Sequence, residues 1–251
     1  MKKSFAPAVA VLFASAAAAS AQMEMPGSPA GVNAALTKLF GDVKAFSAKA
    51  AVQVLDKNQA EKISTPMDFA LLDGKIRVEV DISRVKNRDV SASAMAGMKQ
   101  FGMDRVVSIV RPDKMASYII FPGIQSYVNM PLPKADRETY EKTPRIEKTP
   151  LGKETLDGHP CVKNKVVMTD DQGRKHEATV WNASDLKDFP VQIQTREKED
   201  TVVMRYRQIH LAKPDVKNFQ PPADFKAYDD MTSLMQGAMT RAMNSGGSPP
   251  K

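Results

Sequence analysis

The stretch RVVSIVRPDKMASYIIFPGIQSYVNMPL, residues 105–132, contains three successive short runs rich in Val, Ile and Tyr. Each run ends in turn chemistry: Arg111-Pro112-Asp113-Lys114, then Phe121-Pro122-Gly123, then Pro131. Proline lacks an N–H donor and therefore favours positions outside a central ladder. The stretch predicts an antiparallel meander to which the other strands of the protein are added.

Alternating apolar and polar residues extend the predicted sheet before and after this meander. Residues 45–55 alternate in this way, and the arms MDFALL and KIRVEVD flank Asp73-Gly74, a pair that suits a type I′ hairpin turn. The second arm places Ile76, Val78 and Val80 on one face and charged residues on the other, so one face is wet and one is buried. Further strands are predicted at 153–168, 174–182, 191–197 and 202–211. This spacing fits a sandwich or a curled half-barrel.

Three helices complete the prediction. They are a short amphipathic helix at 32–40, a helix at 91–101 set across the sheet, and a C-terminal helix at 229–243. Met231, Leu234, Met235 and Met239 are predicted to face the sheet, which makes the C-terminal helix a lid. The sequence is thus divided into a flexible lead-in at 22–31, one domain at 32–243 and a disordered tail at 244–251.

Residues 1–21 have the pattern of a secretory signal peptide. Lys2 and Lys3 give a basic start, an Ala-rich apolar run follows, and Ala19-Ser20-Ala21 is an A-x-A cleavage pattern. We therefore expect a periplasmic or secreted protein that is cleaved after Ala21. Loss of the two lysines lowers the formal net charge from +7 to +5, a mild and interspersed excess that does not indicate a nucleic-acid partner. No later segment is apolar enough to predict a transmembrane helix.

Several stretches resemble a known family when they are taken in order. LTKLFGDVKAFSAKAAVQV resembles the start of LolA-like periplasmic lipoprotein-carrier domains, a short helix followed by a strand entered through Phe-Ser-Ala. VRPDKMASYIIFPGIQSYVNMPL, LGKETLDGHPCVKNKVVM, EATVWNASDLKDFPVQIQ and PDVKNFQPPADFKAY resemble an uncharacterised exported bacterial family in the same superfamily. The resemblance implies a mainly β (α+β) fold, a strongly curved antiparallel half-barrel of about 9–11 strands closed by two or three helices. It also implies a concave apolar face that takes up acyl chains.

The side chains that could carry catalysis or bind a metal are sparse. Asp157, His159 and Cys161 occupy alternate positions, but Gly158 and Pro160 interrupt a regular strand, so we favour simple burial of Cys161. The three histidines are widely separated and form no zinc pattern. We therefore expect no catalytic residue, no metal site and no cofactor, and a protein that is not an enzyme.

The methionines leave one alternative open. Met231, Met235, Met239 and Met243 recur every four residues, and thioethers favour soft ions such as Cu(I). Methionine is also an adaptable filler of apolar binding surfaces, which is the more common use of such a stripe. A methionine-based copper chaperone is the less favoured interpretation.

The favoured interpretation is a non-enzymatic carrier or sensor that holds a lipid or acyl-type ligand in the half-barrel. The alternative is an envelope protein-interaction module whose core is filled by its own side chains. The predicted ligand-binding residues are inward-facing apolar positions and one lid residue: Ile76, Val78, Val80, Val107, Ile109, Ile119, Trp181 and Met235.

Overall fold

A computed structural model of the chain describes residues 37–87, 92–132, 137, 140, 144–170 and 173–244. The predicted leader and lead-in, and all but the first residue of the predicted tail, lie outside these residues. Thirteen strands are present in the described part: β1 (Ala45–Leu55), β2 (Glu61–Leu72), β3 (Lys75–Asp81), β4 (Lys86–Asn87), β5 (Arg105–Arg111), β6 (Ala116–Phe121), β7 (Ser126–Pro131), β8 (Arg145–Leu156), β9 (His159–Thr169), β10 (Lys175–Ala183), β11 (Phe189–Glu197), β12 (Asp200–His210) and β13 (Lys226–Tyr228).

The strands form one open sheet in the order β13-β7-β6-β5-β3-β2-β1-β12-β11-β10-β9-β8, with β4 paired to β2. All pairs are antiparallel except β13 with β7. The predicted meander is β5-β6-β7, and Asp73-Gly74 closes the β2-β3 hairpin. The predicted fold class is confirmed, and the strand number exceeds the expected range through the very short β4 and β13.

The sheet is curved, and aromatic side chains show which face is concave. Phe46 on β1 and Phe189 on β11 are separated by β12, yet their ring centroids are 4.7 Å apart. Phe69 on β2 and Tyr206 on β12 are separated by β1, with centroids at 5.6 Å. Backbones two strands apart in a flat sheet are about 9–10 Å apart. We call the face that carries these rings the concave face and the opposite one the outer face.

Two helices lie in the described part of the chain, α1 (Ala92–Gln100) and α2 (Met231–Asn244), close to the predicted ranges. The predicted helix at 32–40 is described only from residue 37 and contains the 3-10 turn Lys38–Phe40. The strand predicted to begin at residue 153 starts earlier, because residues 145–150 already belong to β8 and pair with β9. No helix among the described residues is long and apolar enough to cross a membrane.

The segment after β12 wraps around one edge of the sheet. A 3-10 turn at Val216–Phe219 first lies against the outer face, where the Arg111 Nη1 donates to the Phe219 carbonyl oxygen at 2.8 Å. Strand β13 then pairs with the edge strand β7, and α2 follows on the concave face. The segment therefore links a contact on the outer face to the helix that covers the concave face. We call residues 211–225 the outer strap.

Candidate ligand site beneath the C-terminal helix

Two side-chain clusters of different composition line the concave face. The aromatic cluster is defined by Phe40, Phe46, Phe69, Phe189 and Tyr206. The methionine cluster lies around β5 to β7, where Ile119, Phe121 and Val128 meet methionines from β7, from both helices and from the residue stretch after α1. Its methionines are Met98, Met103, Met130, Met231 and Met235.

The aromatic cluster is filled by its own side chains. Phe46 stacks on Phe69 with centroids 5.4 Å apart, and Tyr206 meets Phe69 and Phe189 edge to face. Phe40 reaches the same group from the turn before β1, and all five side chains are buried. Burial strongly raises the pKa of the Tyr206 phenol, which keeps it neutral, and its hydroxyl donates to the Met204 sulfur at 3.2 Å. Such interlocked rings leave this half little freedom to admit a ligand.

The methionine cluster is covered by two short helices. Helix α1 contributes the buried Met98, and Met103 follows it. The turn after α1 packs tightly on the β6-β7 turn. The packing is so close that a Cβ on Gly123 would lie 2.3 Å from the Gly102 carbonyl oxygen. Helix α2 covers the remainder through Leu234, which is fully buried. Thioether side chains are unbranched and adapt to irregular gaps, so this half of the face is the more deformable one.

Helix α2 is held in place by one buried side chain and by polar contacts near its ends, within the part whose side chains are described. Leu234 is its one fully buried side chain among those described, while Met231 and Met235 are half-buried. Asp230 caps the first turn by accepting from the Ser233 N–H at 2.7 Å and the Ser233 hydroxyl at 2.8 Å. At the other end the Arg241 Nη2 donates to the Ser126 hydroxyl oxygen at 2.8 Å.

Gly237 fits the middle of α2 closely against β13. A Cβ at this position would lie 2.2 Å from the Tyr228 hydroxyl oxygen. The helix backbone therefore lies so close to the Tyr228 side chain that only a glycine fits at this position.

The predicted lid is confirmed as a helix on the concave face, but Met239 was wrongly placed. Its side chain is 52% exposed instead of facing the sheet. In a helix of 3.6 residues per turn, a repeat of four advances about 40° too far at each step. Between Met231 and Met239 the stripe thus rotates about 80° away from the sheet. Met235, the predicted ligand-contacting residue of the lid, remains against the methionine cluster.

Four of the predicted lining residues lie on the concave face. Ile76 and Val78 are buried on the β3 side of the aromatic cluster's core. Val80 packs against both clusters, and Ile119 belongs to the methionine cluster. Their predicted role as ligand contacts stays a prediction. Ile119 and Val80 lie nearer to α2 than Ile76 and Val78 do.

The prediction that Val107 and Ile109 face inward is wrong. Ile76 pairs with Val110 and Val78 pairs with Ser108, so residues 107 and 109 point to the outer face. There they pack with Leu72, Ile120 and the fully buried Phe219 of the outer strap. The strap buries a second apolar surface, which is why both faces of β5 are apolar.

The predicted inward position of Trp181 is also wrong. Trp181 pairs with Gln192, which pairs with Arg205, on the face opposite the inward-pointing Tyr206. Its indole N–H donates to Glu154 at 2.5 Å, and the Lys163 ammonium lies 4.9 Å from the ring centroid. The ring is buried beneath the end of the β8-β9 hairpin, at the outer side of the continuous buried core that also contains Val180 and Phe189.

The same hairpin accounts for the Asp157, His159 and Cys161 pattern. Burial raises the pKa of Asp157, but hydrogen bonds from Arg207 and Arg205 outweigh it, and the net pKa is lowered. The His159 ring bonds to Asp185 at 2.8 Å. Cys161 is buried as predicted, and burial raises the pKa of its thiol, which donates to the His159 carbonyl oxygen at 3.3 Å. These contacts hold the β8-β9 hairpin in place. They do not orient the His159 ring as a base toward the Cys161 thiol.

Sequence reasoning missed several residues of the methionine cluster. Phe121 follows Ile119 by two positions, so strand alternation alone could have assigned it to the same face. Val128 lies opposite Ile119 in the β6-β7 pairing, and that relation requires the register. The contact between Tyr228 and Gly237 joins β13 to α2 and has no signal in the sequence.

Comparison with known proteins finds similar solved structures at low sequence identity. No family model and no curated protein matches the chain. A LolA superfamily protein from Nitrosomonas europaea is 12% identical, with 75% of this chain and 98% of that chain covered and a TM-score of 0.42. LprF from Mycobacterium bovis is 15% identical over 76% and 95% of the chains with a TM-score of 0.40. Lipoprotein LppX from Mycobacterium tuberculosis is 13% identical over 70% and 93% with a TM-score of 0.37.

Proposed function

We propose that this protein is a non-enzymatic binding protein of the cell envelope that holds an acyl-type apolar ligand between α2 and strands β5 to β7. The observation that carries the proposal is the construction of the lid. Among the described side chains of α2 Leu234 alone is fully buried, and the helix covers an apolar surface that contains Ile119, Phe121 and Val128. A cover with so small an anchor is readily displaced by a ligand that supplies its own apolar surface.

The magnitudes favour such an exchange. Burying a Leu side chain stabilises the folded state by about 1.5–3 kcal/mol, and each buried methylene of an acyl chain contributes about 0.8 kcal/mol. Roughly two to four methylenes therefore replace the contribution of Leu234. Longer chains gain further stabilisation from the sheet surface and from the half-buried Met231 and Met235.

The composition of the cluster supports a ligand that varies in shape. Five methionines surround the proposed site, and their flexible thioethers can repack around chains of different length or unsaturation. The interlocked aromatic cluster lacks this property. We therefore place the ligand in the methionine half and treat the aromatic half as the permanent core.

The binding test is a titration of the mature protein with a pyrene-labelled fatty acid, followed by pyrene emission. Trp181 is unsuitable as a reporter because it lies on the outer face. We expect saturable binding at micromolar concentration that strengthens with chain length and depends little on salt. Absence of saturable binding would contradict the proposal.

Two helix glycines give a matched pair of variants for the lid. Gly237→Ala places a methyl group against the Tyr228 hydroxyl, whereas Gly97→Ala in α1 meets no atom within 4 Å. Both changes raise helix propensity, so they differ in the clash alone. We expect Gly237→Ala to loosen the lid and change acyl affinity at least threefold, and Gly97→Ala to leave it unchanged. Equal affinities in both variants would show that α2 does not control the site.

The alternative function is an envelope protein-interaction module, and the filled aromatic cluster is the observation that favours it. Native mass spectrometry of protein purified from its own envelope separates the two. A bound lipid supports the carrier, and a ligand-free protein that co-purifies with a stoichiometric protein partner supports the module. N-terminal sequencing of the same sample tests the predicted cleavage after Ala21.

A further inference from the structure

The Tyr228 hydroxyl is the one buried side-chain oxygen or nitrogen in the described chain that has no hydrogen-bond partner. It lies against Gly237 of α2, and the ring packs on the methionine cluster. A hydroxyl removed from water without a partner is destabilising, and such groups are rare in folded proteins. A Phe at this position would fill nearly the same space without this cost. The presence of the hydroxyl is explained if a bound ligand supplies its hydrogen-bond partner.

The neighbours of Tyr228 indicate which chemistry that partner has. Lys226 and Tyr228 are alternate residues of β13 and pair with Ser126 and Val128, both on the concave side. The Lys226 ammonium lies 5.1 Å from the Tyr228 ring centroid. It has no carboxylate partner within the described ranges and is exposed. A hydroxyl group and an ammonium group thus stand together at the edge of an apolar surface.

We infer that Tyr228 is the headgroup-recognising residue of the acyl site, and that its hydroxyl donates a hydrogen bond to an oxygen of the ligand head. The ligand is then an acyl compound with an acceptor oxygen at its polar end, a carboxylate or an ester carbonyl, whose chain lies across the methionine cluster. Lys226 favours an anionic head at the rim. This inference rests on the proposed function and adds the ligand's chemical class to it.

The absence of a side chain at Gly237 fits the same role. Gly237 leaves the phenol oxygen in contact with the helix backbone when the lid is closed. An entering head moves α2 by a small distance and takes up the hydrogen bond that the helix does not supply. The cost of the unpaired hydroxyl is thereby relieved only in the bound state, which couples lid displacement to recognition of the head.

The test compares three pyrene-labelled probes of equal chain length: a fatty acid, its methyl ester and the corresponding alkane. Each is titrated into the wild type, Tyr228→Phe, Lys226→Gln and Tyr127→Phe. Tyr127 is the matched control, because it lies beside β13 on the outer face and packs against Tyr118. Melting temperatures are recorded for every variant.

We expect Tyr228→Phe to weaken binding of the acid and the ester about tenfold, the effect of one lost hydrogen bond, and to leave alkane binding unchanged. Its melting temperature without ligand should equal or exceed that of the wild type. Lys226→Gln should weaken binding of the acid alone, by a smaller factor than Tyr228→Phe does, and Tyr127→Phe should change the binding of no probe.

Two results overturn the inference in distinguishable ways. If the wild type binds none of the three probes, the acyl site itself is wrong, and with it the proposed function. If the wild type binds them and Tyr228→Phe binds acid and ester equally well, or loses all three probes equally, the proposed function stands and the headgroup role of Tyr228 is wrong.

Discussion

The two halves of the concave face are built from different side chains. Around β1, β2, β11 and β12 the surface is occupied by aromatic rings that contact one another edge to face and in stacks. Around β5, β6 and β7 it is occupied by aliphatic residues and methionines beneath two short helices. Aromatic rings have few rotatable bonds and a fixed shape, whereas methionine has three rotatable bonds and a polarizable sulfur.

Under the proposed function, the difference separates the half of the sheet that provides stability from the half that binds the ligand. The aromatic half connects strands that are adjacent in the middle of the sheet and can hold the sheet in its curved form. The methionine half lies near the β13 edge, where the chain returns as a strap, a three-residue strand and a lid. Elements that move on ligand binding are expected where the local packing is weakest.

The largest expected effect comes from removing a ring of the aromatic cluster. Phe46→Ala should lower the free energy of unfolding by about 3–5 kcal/mol, because Phe46 is fully buried and touches four other rings. Urea denaturation measures the change. Phe101→Ala is the control, because Phe101 is 48% exposed and should cost under about 0.5 kcal/mol. Similar losses in both variants would remove the distinction between a permanent core and its surroundings.

The next effect concerns the lid anchor. Leu234→Asp should release α2, because a carboxylate cannot be buried unpaired in the methionine cluster, and the cost of about 2–3 kcal/mol is limited by the lid's own docking energy. Hydrogen exchange should accelerate across residues 231–244, while β1 and β12 stay protected. Met239→Asp, at an exposed position of the same helix, should leave exchange unchanged. Cooperative unfolding of the whole sheet in Leu234→Asp would mean that the two halves are not separable.

The ion pair between Arg111, which holds the outer strap, and Asp113 should contribute a smaller, pH-dependent amount to stability. The hydrogen bonds from Arg111 lower the pKa of Asp113, against a smaller opposing effect of burial. A carboxyl with a lowered folded-state pKa stabilises the protein above its unfolded pKa of about 3.9, and this contribution is lost as the pH falls through the folded value. Asp113→Asn should therefore cost about 1 kcal/mol at neutral pH and progressively less below about pH 4.

Chemical denaturation of wild type and Asp113→Asn across this pH range measures how much this ion pair contributes to the free energy of unfolding. The control is Asp68→Asn, which removes the exposed ion pair between Lys49 and Asp68 on β1 and β2. If the strap is coupled to the lid, Asp113→Asn also accelerates exchange in residues 231–244, and Asp68→Asn does not. A pH-independent difference for Asp113→Asn would contradict the role of its ion pair with Arg111.

The smallest effect on stability is expected from exchanging the lid methionines for leucine. Met231→Leu with Met235→Leu conserves volume and should change the free energy of unfolding by less than about 1.5 kcal/mol. It should nevertheless narrow the range of acyl lengths that bind, because leucine adapts less than methionine. Titration with a series of chain lengths checks this. A Cu(I) competition assay on the same proteins tests the copper alternative: tight binding that is lost in the double variant would favour it over the lipid interpretation.

The sequence by itself determined the class of fold and most strands. Turn residues and period-two alternation were sufficient for β3, the β5-β6-β7 meander and the β2-β3 hairpin, since these signals are local. The C-terminal helix was equally evident from its spacing. The exposed position of Met239 also follows from helix geometry, because residues four apart do not lie on exactly one face. A repeat of four in the sequence nevertheless resembles a single face.

Only the tertiary structure decided which face of an apolar strand is inward. Six of the seven residues of β5 are buried, so alternation carries no information there, and the pairing of Ile76 with Val110 fixes the direction. The outer strap makes both faces of β5 apolar, and the β8-β9 hairpin buries Trp181 on the outer face. These surfaces are covered by segments distant in the chain, and local sequence cannot specify a contact whose partner lies about 30 to 110 residues away.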